Sequence, residues 1–173
     1  MNTSLNSIKN STLTFLVLLV FSGQLFAQSS PIKITELSSY LLNKPVASKQ
    51  RMAASSSQSI EDLVFKSQSA VYLSSGVVKT YGDYPTCLYT DAQSLSGIGD
   101  PSILKNNIEI INITLKNRSD LNYKVDLMQF SEFSNLKFIY FNSDFTITEQ
   151  EIANMIVNYS DQYNIFYKID KAE

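Results

Sequence analysis

Acidic side chains in the middle of the chain are the residues best suited to chemistry. Asp83, Asp91 and Asp100 occur between Lys79 and Pro101, and two carboxylates can hydrolyse a glycosidic bond without help from histidine. The spacing of these acids matches no calcium-binding loop. A small secreted hydrolase that uses Asp83 and Asp91 is therefore one hypothesis, and it predicts a concave pocket in which two acids converge.

Other kinds of reactive site are excluded by what the chain lacks. It has no histidine, so Ser-His-Asp and Cys-His nucleophiles and His-ligated zinc sites cannot form. Cys87 is the only cysteine, which rules out an intramolecular disulfide and favours a small buried apolar group. Gly97 and Gly99 form a lone G-x-G without a third glycine, so a phosphate cradle is not indicated. We therefore expect no catalytic residue, no metal ligand and no cofactor.

The amino terminus has the three parts of a secretory signal peptide. Lys9 is followed by an apolar run over residues 13–21 and then by a short segment that ends at the small residue Ala27. The run is shorter than the ~20 apolar residues that a membrane span needs. This predicts a signal peptide over residues 1–27, cleavage after it, and no membrane span in the mature protein. The protein is then exported, and it is periplasmic, at the cell surface or secreted.

Composition divides the remaining chain into two parts. Residues 28–59 are rich in Ser and Gln and predict a flexible segment, in which residues 35–42 form a short helix. Residues 60–173 suffice for a single small α/β domain. The net charge of −2 does not resemble the basic footprint of a nucleic-acid binder. In an alternative that stays open, residues 28–58 dock a partner and the chain is a structural or accessory protein.

Sequence patterns predict alternating strands and helices after residue 59. Ser59 before Ile60 is typical of a helix start, and Thr148 with Glu151 three residues later has the form of a capping box. Residues 79–101 carry Gly and Pro at many positions and predict a long loop. The expected elements are a helix over residues 60–67, strands over 71–73, 108–115, 136–142 and 163–169, a helical turn over 126–133, and a helix that begins after residue 148.

Large apolar residues in one segment recur at offsets of three, three and two. They are Phe133, Leu136, Ile139 and Phe141, and Asp144 follows three positions later. This spacing resembles the leucine-rich repeat, in which Asn is usual at the last position. Ile108 begins a second copy with Ile111 and Ile113 in register. Ile111 and Ile139 lie one repeat length apart, within the range of about 20 to 29 residues that this architecture uses.

Over residues 104–170 the chain thus resembles leucine-rich-repeat-like exported bacterial proteins of unknown function. The resemblance implies an α/β fold built as a short stack of parallel strands with helices or turns between them, preceded by a flexible N-terminal segment. An ordinary small α/β fold with parallel strands and right-handed crossovers is the alternative.

In such a stack the residues between the inward ones lie on the open face of the sheet. Rigid aromatic rings beside adaptable amides suit a non-catalytic module that binds protein or carbohydrate, and this hypothesis predicts that Phe138 and Tyr140 are exposed. Alternatively, Ile110 and Phe138 are core residues that the amino-terminal segment covers. The expected binding face consists of Ile110, Asn112, Thr114, Phe138, Tyr140 and Asn142.

Overall fold

Short strands with helices and turns between them make up the part of the chain that the structure describes. This is a computed structural model, and it describes residues 31–43 and 58–170. The helices are α1 (Leu37–Leu42), α2 (Ile60–Phe65) and α3 (Glu149–Met155). The strands are β1 (Ile34–Glu36), β2 (Ala70–Ser74), β3 (Val77–Tyr81), β4 (Cys87–Asp91), β5 (Ile110–Leu115), β6 (Val125–Asp126), β7 (Phe138–Ser143), β8 (Ile156–Val157) and β9 (Asn164–Ile169).

Seven of the described strands form one sheet, in the order β1-β9-β7-β5-β4-β2-β3. Every neighbouring pair is parallel except β2 and β3, which form an antiparallel hairpin. The second sheet of the described residues pairs β6 with β8, also in parallel. The expectation of an α/β fold with parallel strands is therefore confirmed.

The register of β5 and β7 decides which side chains reach the core. Ile111 lies opposite Ile139 and Ile113 lies opposite Phe141, and all four side chains are fully buried. They belong to one large apolar cluster, to which the second sheet contributes Val125. Because side chains alternate across a strand, the residues between them share the opposite face of the sheet.

The predicted helix starts are confirmed by the hydrogen bonds at their caps. The Ser59 hydroxyl accepts the backbone N–H of Asp62 at the start of α2. At α3 the Thr148 hydroxyl accepts the N–H of Glu151, and the Glu151 carboxylate accepts the N–H of Thr148. These side chains satisfy amides that have no partner within the helix.

The side chain that ties the turn after β7 is that of Ser143, next to the position of Asp144 where the repeat pattern usually has Asn. Asp144 is exposed, and its backbone N–H donates to the carbonyl of Leu115. The preceding Ser143 is fully buried instead, and its hydroxyl both donates to the carbonyl of Phe145 and accepts the N–H of Phe145. The short Ser143 hydroxyl thus ties the turn, because its position on the buried face of β7 brings it against the returning backbone.

Two segments contain strands that were not predicted. In the segment predicted to be flexible, the short helix expected over residues 35–42 is confirmed as α1, and the unexpected β1 extends the sheet by pairing with β9. The compact unit that contains the sheet begins at Ile32. Residues 79–101, predicted as a long loop, contain the end of β3 and all of β4. In both places long-range pairing with the sheet outweighs the weak local signal.

The predicted signal peptide and most of the predicted flexible segment lie outside the described residues. None of the helices formed by residues 31–43 and 58–170 is long and apolar enough to cross a membrane.

Candidate functional site

The strand register brings the six predicted face residues together. Ile110 lies opposite Phe138, Asn112 opposite Tyr140, and Thr114 opposite Asn142. Side chains at alternate positions of paired strands project from the same side. The three pairs therefore form three successive rows on the face opposite the main core, and the neighbouring strands extend each row.

The helices α1 and α2 cover the first part of this face. Ile110 and Tyr140 are only 2% and 3% exposed, and they pack in a second apolar cluster with Leu37 of α1 and Leu63 of α2. The expectation that Tyr140 is exposed is therefore wrong, and Ile110 is a core residue as the alternative held. The physical reason is that both helices carry apolar side chains that need burial, and this face supplies it.

Phe138 lies at the boundary of the covered part. Its ring is partly buried, and it packs at 6.2 Å from the ring of Phe166. The ring of Tyr40, on α1, meets the same Phe166 edge-on at 5.0 Å. Phe138 thus extends the covering cluster toward the amino-terminal end of the strands, away from the amide rows.

Glu36 holds α1 in place over the face. Its carboxylate accepts the backbone N–H groups of Ser38 and Ser39 at 2.9 and 2.6 Å, which makes it the cap of the helix. Burial raises the pKa of Glu36, but the hydrogen bonds from Ser39 and Ser38 outweigh burial and lower the pKa to about 2. The charged form of Glu36 is therefore the form that stabilises the fold.

We expect Glu36→Gln to lower the free energy of unfolding by about 1 kcal/mol at neutral pH, the usual value of a helix cap. The folded pKa lies below the reference value of 4.5, so the parent's advantage is complete above pH 4.5 and is lost as the pH falls toward 2. Urea unfolding at several pH values measures the difference. Asp161→Asn removes an exposed carboxylate that caps no helix and is the control. A difference that does not change with pH would contradict this role of Glu36.

The rest of the face, which borders the helix-covered cluster at Tyr89, is the candidate site, and we call it the tyrosine–amide face. It consists of Tyr72, Tyr89, Asn112, Thr114 and Asn142. Tyr72 lies opposite Tyr89, and Tyr89 lies opposite Asn112, so three neighbouring strands form one row. The rings of Tyr72 and Tyr89 are stacked, with centroids 5.0 Å apart and planes at 15°. Tyr72 is 45% exposed, so one end of this row meets solvent.

Two amide oxygens on the tyrosine–amide face have no hydrogen-bond partner among the described residues. They are Oδ1 of Asn112 and Oδ1 of Asn142, and neither atom has appreciable contact with solvent. The amide of Asn142 is oriented by Asp170, since hydrogen bonds from Lys168 and Asn142 lower the pKa of that carboxyl.

An unsatisfied oxygen of this kind costs about 1–3 kcal/mol. A ligand that supplies O–H or N–H donors would recover that cost.

The phenols of Tyr89 and Tyr140 have raised pKa values. Burial, together with the neighbouring Cys87 and Tyr72, raises the pKa of Tyr89 to about 12. Burial raises the pKa of Tyr140 further, and Asp170 and Glu36 add to the effect. The phenol of Tyr89 can therefore donate a hydrogen bond to a ligand.

Cys87 lies on the same side of the sheet as Tyr89, in the row of Ile110 that the helices cover, and it is fully buried. Burial raises the pKa of its thiol, and its sulfur donates to the carbonyl of Leu63. The buried, protonated thiol is not a nucleophile.

Two of the three acidic residues of the predicted loop, Asp91 and Asp100, accept structural hydrogen bonds. One oxygen of Asp91 accepts the backbone N–H of Ser94 at 2.9 Å, and the other lies 3.5 Å from the hydroxyl of Ser74. The Asp100 carboxylate accepts both the N–H and the hydroxyl of Ser102. These acids close local turns, which is the ordinary role of Asp at such positions.

Three surface cavities of the described part hold at most one carboxylate each. Glu132 lines a cavity of 470 Å³ and Asp161 lines one of 370 Å³, whereas the third, of 450 Å³, has no acid. Neither Asp83 nor Asp91 lines any of the three. The described residues also contain no group of three or more Cys, Asp or Glu side chains that could hold a metal ion.

Sequence reasoning missed Tyr72 and Tyr89 as members of the face. The signal was present in the segment from Cys87 to Asp91, because the period of two in a strand places Cys87, Tyr89 and Asp91 on one face and Leu88 and Thr90 on the other. Comparison with protein-family models, curated proteins and solved structures finds no match, so the function is inferred from the geometry of this chain.

Proposed function

We propose that the chain is an exported, non-catalytic binding module for protein or glycan, with a short leucine-rich-repeat-like fold. The succession β2, β4, β5, β7 and β9 supports the fold assignment, because these strands follow one another along the chain and across the sheet in parallel. The interval between Ile111 and Ile139, which are paired across β5 and β7, agrees with a repeat of about 20 to 29 residues.

The observation that carries the binding proposal is the pair of unpartnered amide oxygens beside stacked tyrosines. Asn112 and Asn142 are partly exposed, and the terminal torsion of asparagine is soft. A small rotation therefore brings each oxygen to a donor that approaches along the face. The stacked rings supply a flat apolar surface next to these acceptors, which is the combination that protein and sugar ligands require.

The test is to probe a glycan array and a peptide array with fluorescently labelled protein. The double variant Asn112→Ala, Asn142→Ala removes both acceptors, and we expect it to lose at least about ten-fold of the signal, the equivalent of about 1.4 kcal/mol. Far-UV circular dichroism of the double variant verifies its fold, because Asn142→Ala also removes the hydrogen bond to Asp170. Asn154→Ala, an exposed amide on α3, is the matched control.

The outcome distinguishes the two ligand classes. Signals on glycans alone or on peptides alone that depend on Asn112 and Asn142 would assign the class. Signals that the double variant retains in full would remove the tyrosine–amide face from the proposal.

A further inference from the structure

Strand β3 leaves one edge of the sheet open. It pairs with β2 on one side and, within the described residues, with no strand on the other. Val77 and Tyr81 are 54% and 58% exposed. The opposite edge of the sheet is the three-residue β1, which contacts α3. A five-residue edge rich in β-branched and aromatic side chains is a template for another strand.

The register of the hairpin shows which backbone groups are free. Ser74 pairs with Val77 around a two-residue turn in which Ser75 and Gly76 both have positive φ, 51° and 75°. In such a turn the closing pair exchanges both hydrogen bonds, and the bonded pairs then alternate along the ladder. The N–H and carbonyl groups of Val78 and Thr80 consequently point away from β2, toward the open edge.

The side chain between these free groups is a lysine. Lys79 makes no ion pair with any other described residue, and it lies opposite Tyr72 on β2. It lines the cavity of 450 Å³ together with Gln68, Ala70, Tyr72 and Tyr81. The rings of Tyr72 and Tyr81 meet edge-on at 5.5 Å and form an aromatic wall. The cavity therefore lies on the face of β3 from which Lys79 projects.

We propose that the edge of β3 binds an extended segment of a partner protein by antiparallel strand addition, with an acidic side chain opposite Lys79. The free groups of Val78 and Thr80 supply the main-chain hydrogen bonds. Lys79 occupies the non-hydrogen-bonded position between them, where facing side chains are closest. Apolar side chains two positions on either side of the acid then lie over Val77 and Tyr81, and one of them reaches the cavity.

Charge favours this occupant over a second copy of the chain. Two copies of β3 paired antiparallel about Lys79 would place two ammonium groups directly opposite each other, which is destabilising. An acidic side chain opposite Lys79 makes this interaction attractive. In strand addition, main-chain hydrogen bonds usually provide the affinity and alternate side chains provide the specificity.

The probe for the test is a fluorescein-labelled peptide Ser-Val-Thr-Glu-Thr-Val-Ser, whose binding to the whole chain is followed by fluorescence anisotropy. Thr80→Pro removes an outward N–H and no bond to β2, and proline is tolerated on edge strands. We expect this variant to lose at least about ten-fold in affinity, the equivalent of about 1.4 kcal/mol. Far-UV circular dichroism of the variant verifies its fold.

A charge swap keeps the proposal testable if Thr80→Pro fails to fold. Lys79→Glu should weaken binding of the glutamate peptide about five-fold, and it should prefer a peptide with Lys in place of Glu. Three results would overturn the proposal: no saturable binding to the parent chain at the highest soluble peptide concentration, equal affinity of parent and Thr80→Pro, or self-association of the parent that Thr80→Pro abolishes. The Asn112→Ala, Asn142→Ala variant should bind the peptide like the parent, so a failure of the proposed tyrosine–amide site is distinguishable.

Discussion

Phe141→Ala is expected to lower the free energy of unfolding by about 3–5 kcal/mol, the range for truncating a buried phenylalanine. Phe141 is fully buried, and its row across the sheet continues to Ile113 on one side and Tyr167 on the other. Both neighbouring strands hold it in a fixed position, so the site cannot collapse to fill the space that the ring leaves. The loss is a large part of the roughly 5–15 kcal/mol that stabilises an ordinary domain.

Phe138→Ala is the matched control, because the same residue type stands on the same strand but on the other face. Phe138 is partly exposed, and we expect a loss of about 1–2 kcal/mol. The chain has no tryptophan, so urea unfolding is followed by tyrosine fluorescence and far-UV circular dichroism. Equal losses in the two variants would contradict the division of β7 into a core face and a face covered in part by the helices.

The elements that could be predicted from the sequence are those whose signals are local. Ser59 and Thr148 predict helix starts because their side-chain oxygens accept hydrogen bonds from the free backbone amides of the first turn, whatever the rest of the fold. The dense β-branched run over residues 108–115 announces β5 for a similar reason. In these places local conformational preference and tertiary packing favour the same structure, so the sequence alone predicts it correctly.

The elements that were missed depend on partners far away in the chain. β1 is three residues long and has little strand character of its own, so it is defined by pairing with β9 at the other end of the domain. Gly82 and Pro85 lie between β3 and β4. Both residue types are typical of loops, so they concealed the short strands on either side. Neither case contains a periodic segment long enough to be recognised.

The sequence predicted which side chains share the face of the candidate site, but it did not predict which of them the helices cover. Alternation along residues 110–114 and 138–142 suffices to place six side chains on one face, because the period of a strand is fixed. Which half of that face stays accessible depends on where α1 and α2 pack. The apolar character of Leu37 and Leu63 predicts that they are buried, but it does not predict where on the sheet they pack. The structure places them against Ile110 and Tyr140.

Gly82→Ala is the second substitution with a large expected effect, about 3 kcal/mol or more. Gly82 has a φ of +83°, a conformation that costs other residues about 1–2 kcal/mol. A Cβ at this position would lie 2.1 Å from Oγ and 2.7 Å from Cβ of Ser69. The carbonyl of Ser69 accepts the N–H of Thr86, so Ser69 cannot move aside without loosening the start of β4. Overpacking of this kind adds typically about 1–3 kcal/mol.

Gly76→Ala separates backbone strain from steric overlap. Gly76 has a similar φ of +75°, but nothing lies within 4 Å of the added Cβ, so we expect a loss of only about 1–2 kcal/mol. The double variant Ser69→Gly, Gly82→Ala removes the overlapping Oγ and Cβ and should recover part of the difference. Urea unfolding of the parent, the two single variants and the double variant measures the cost of backbone strain and the cost of steric overlap. If Gly82→Ala costs no more free energy of unfolding than Gly76→Ala, the close approach of Gly82 to Ser69 is wrong, and with it the packing of the end of β3 against the residue that precedes β2.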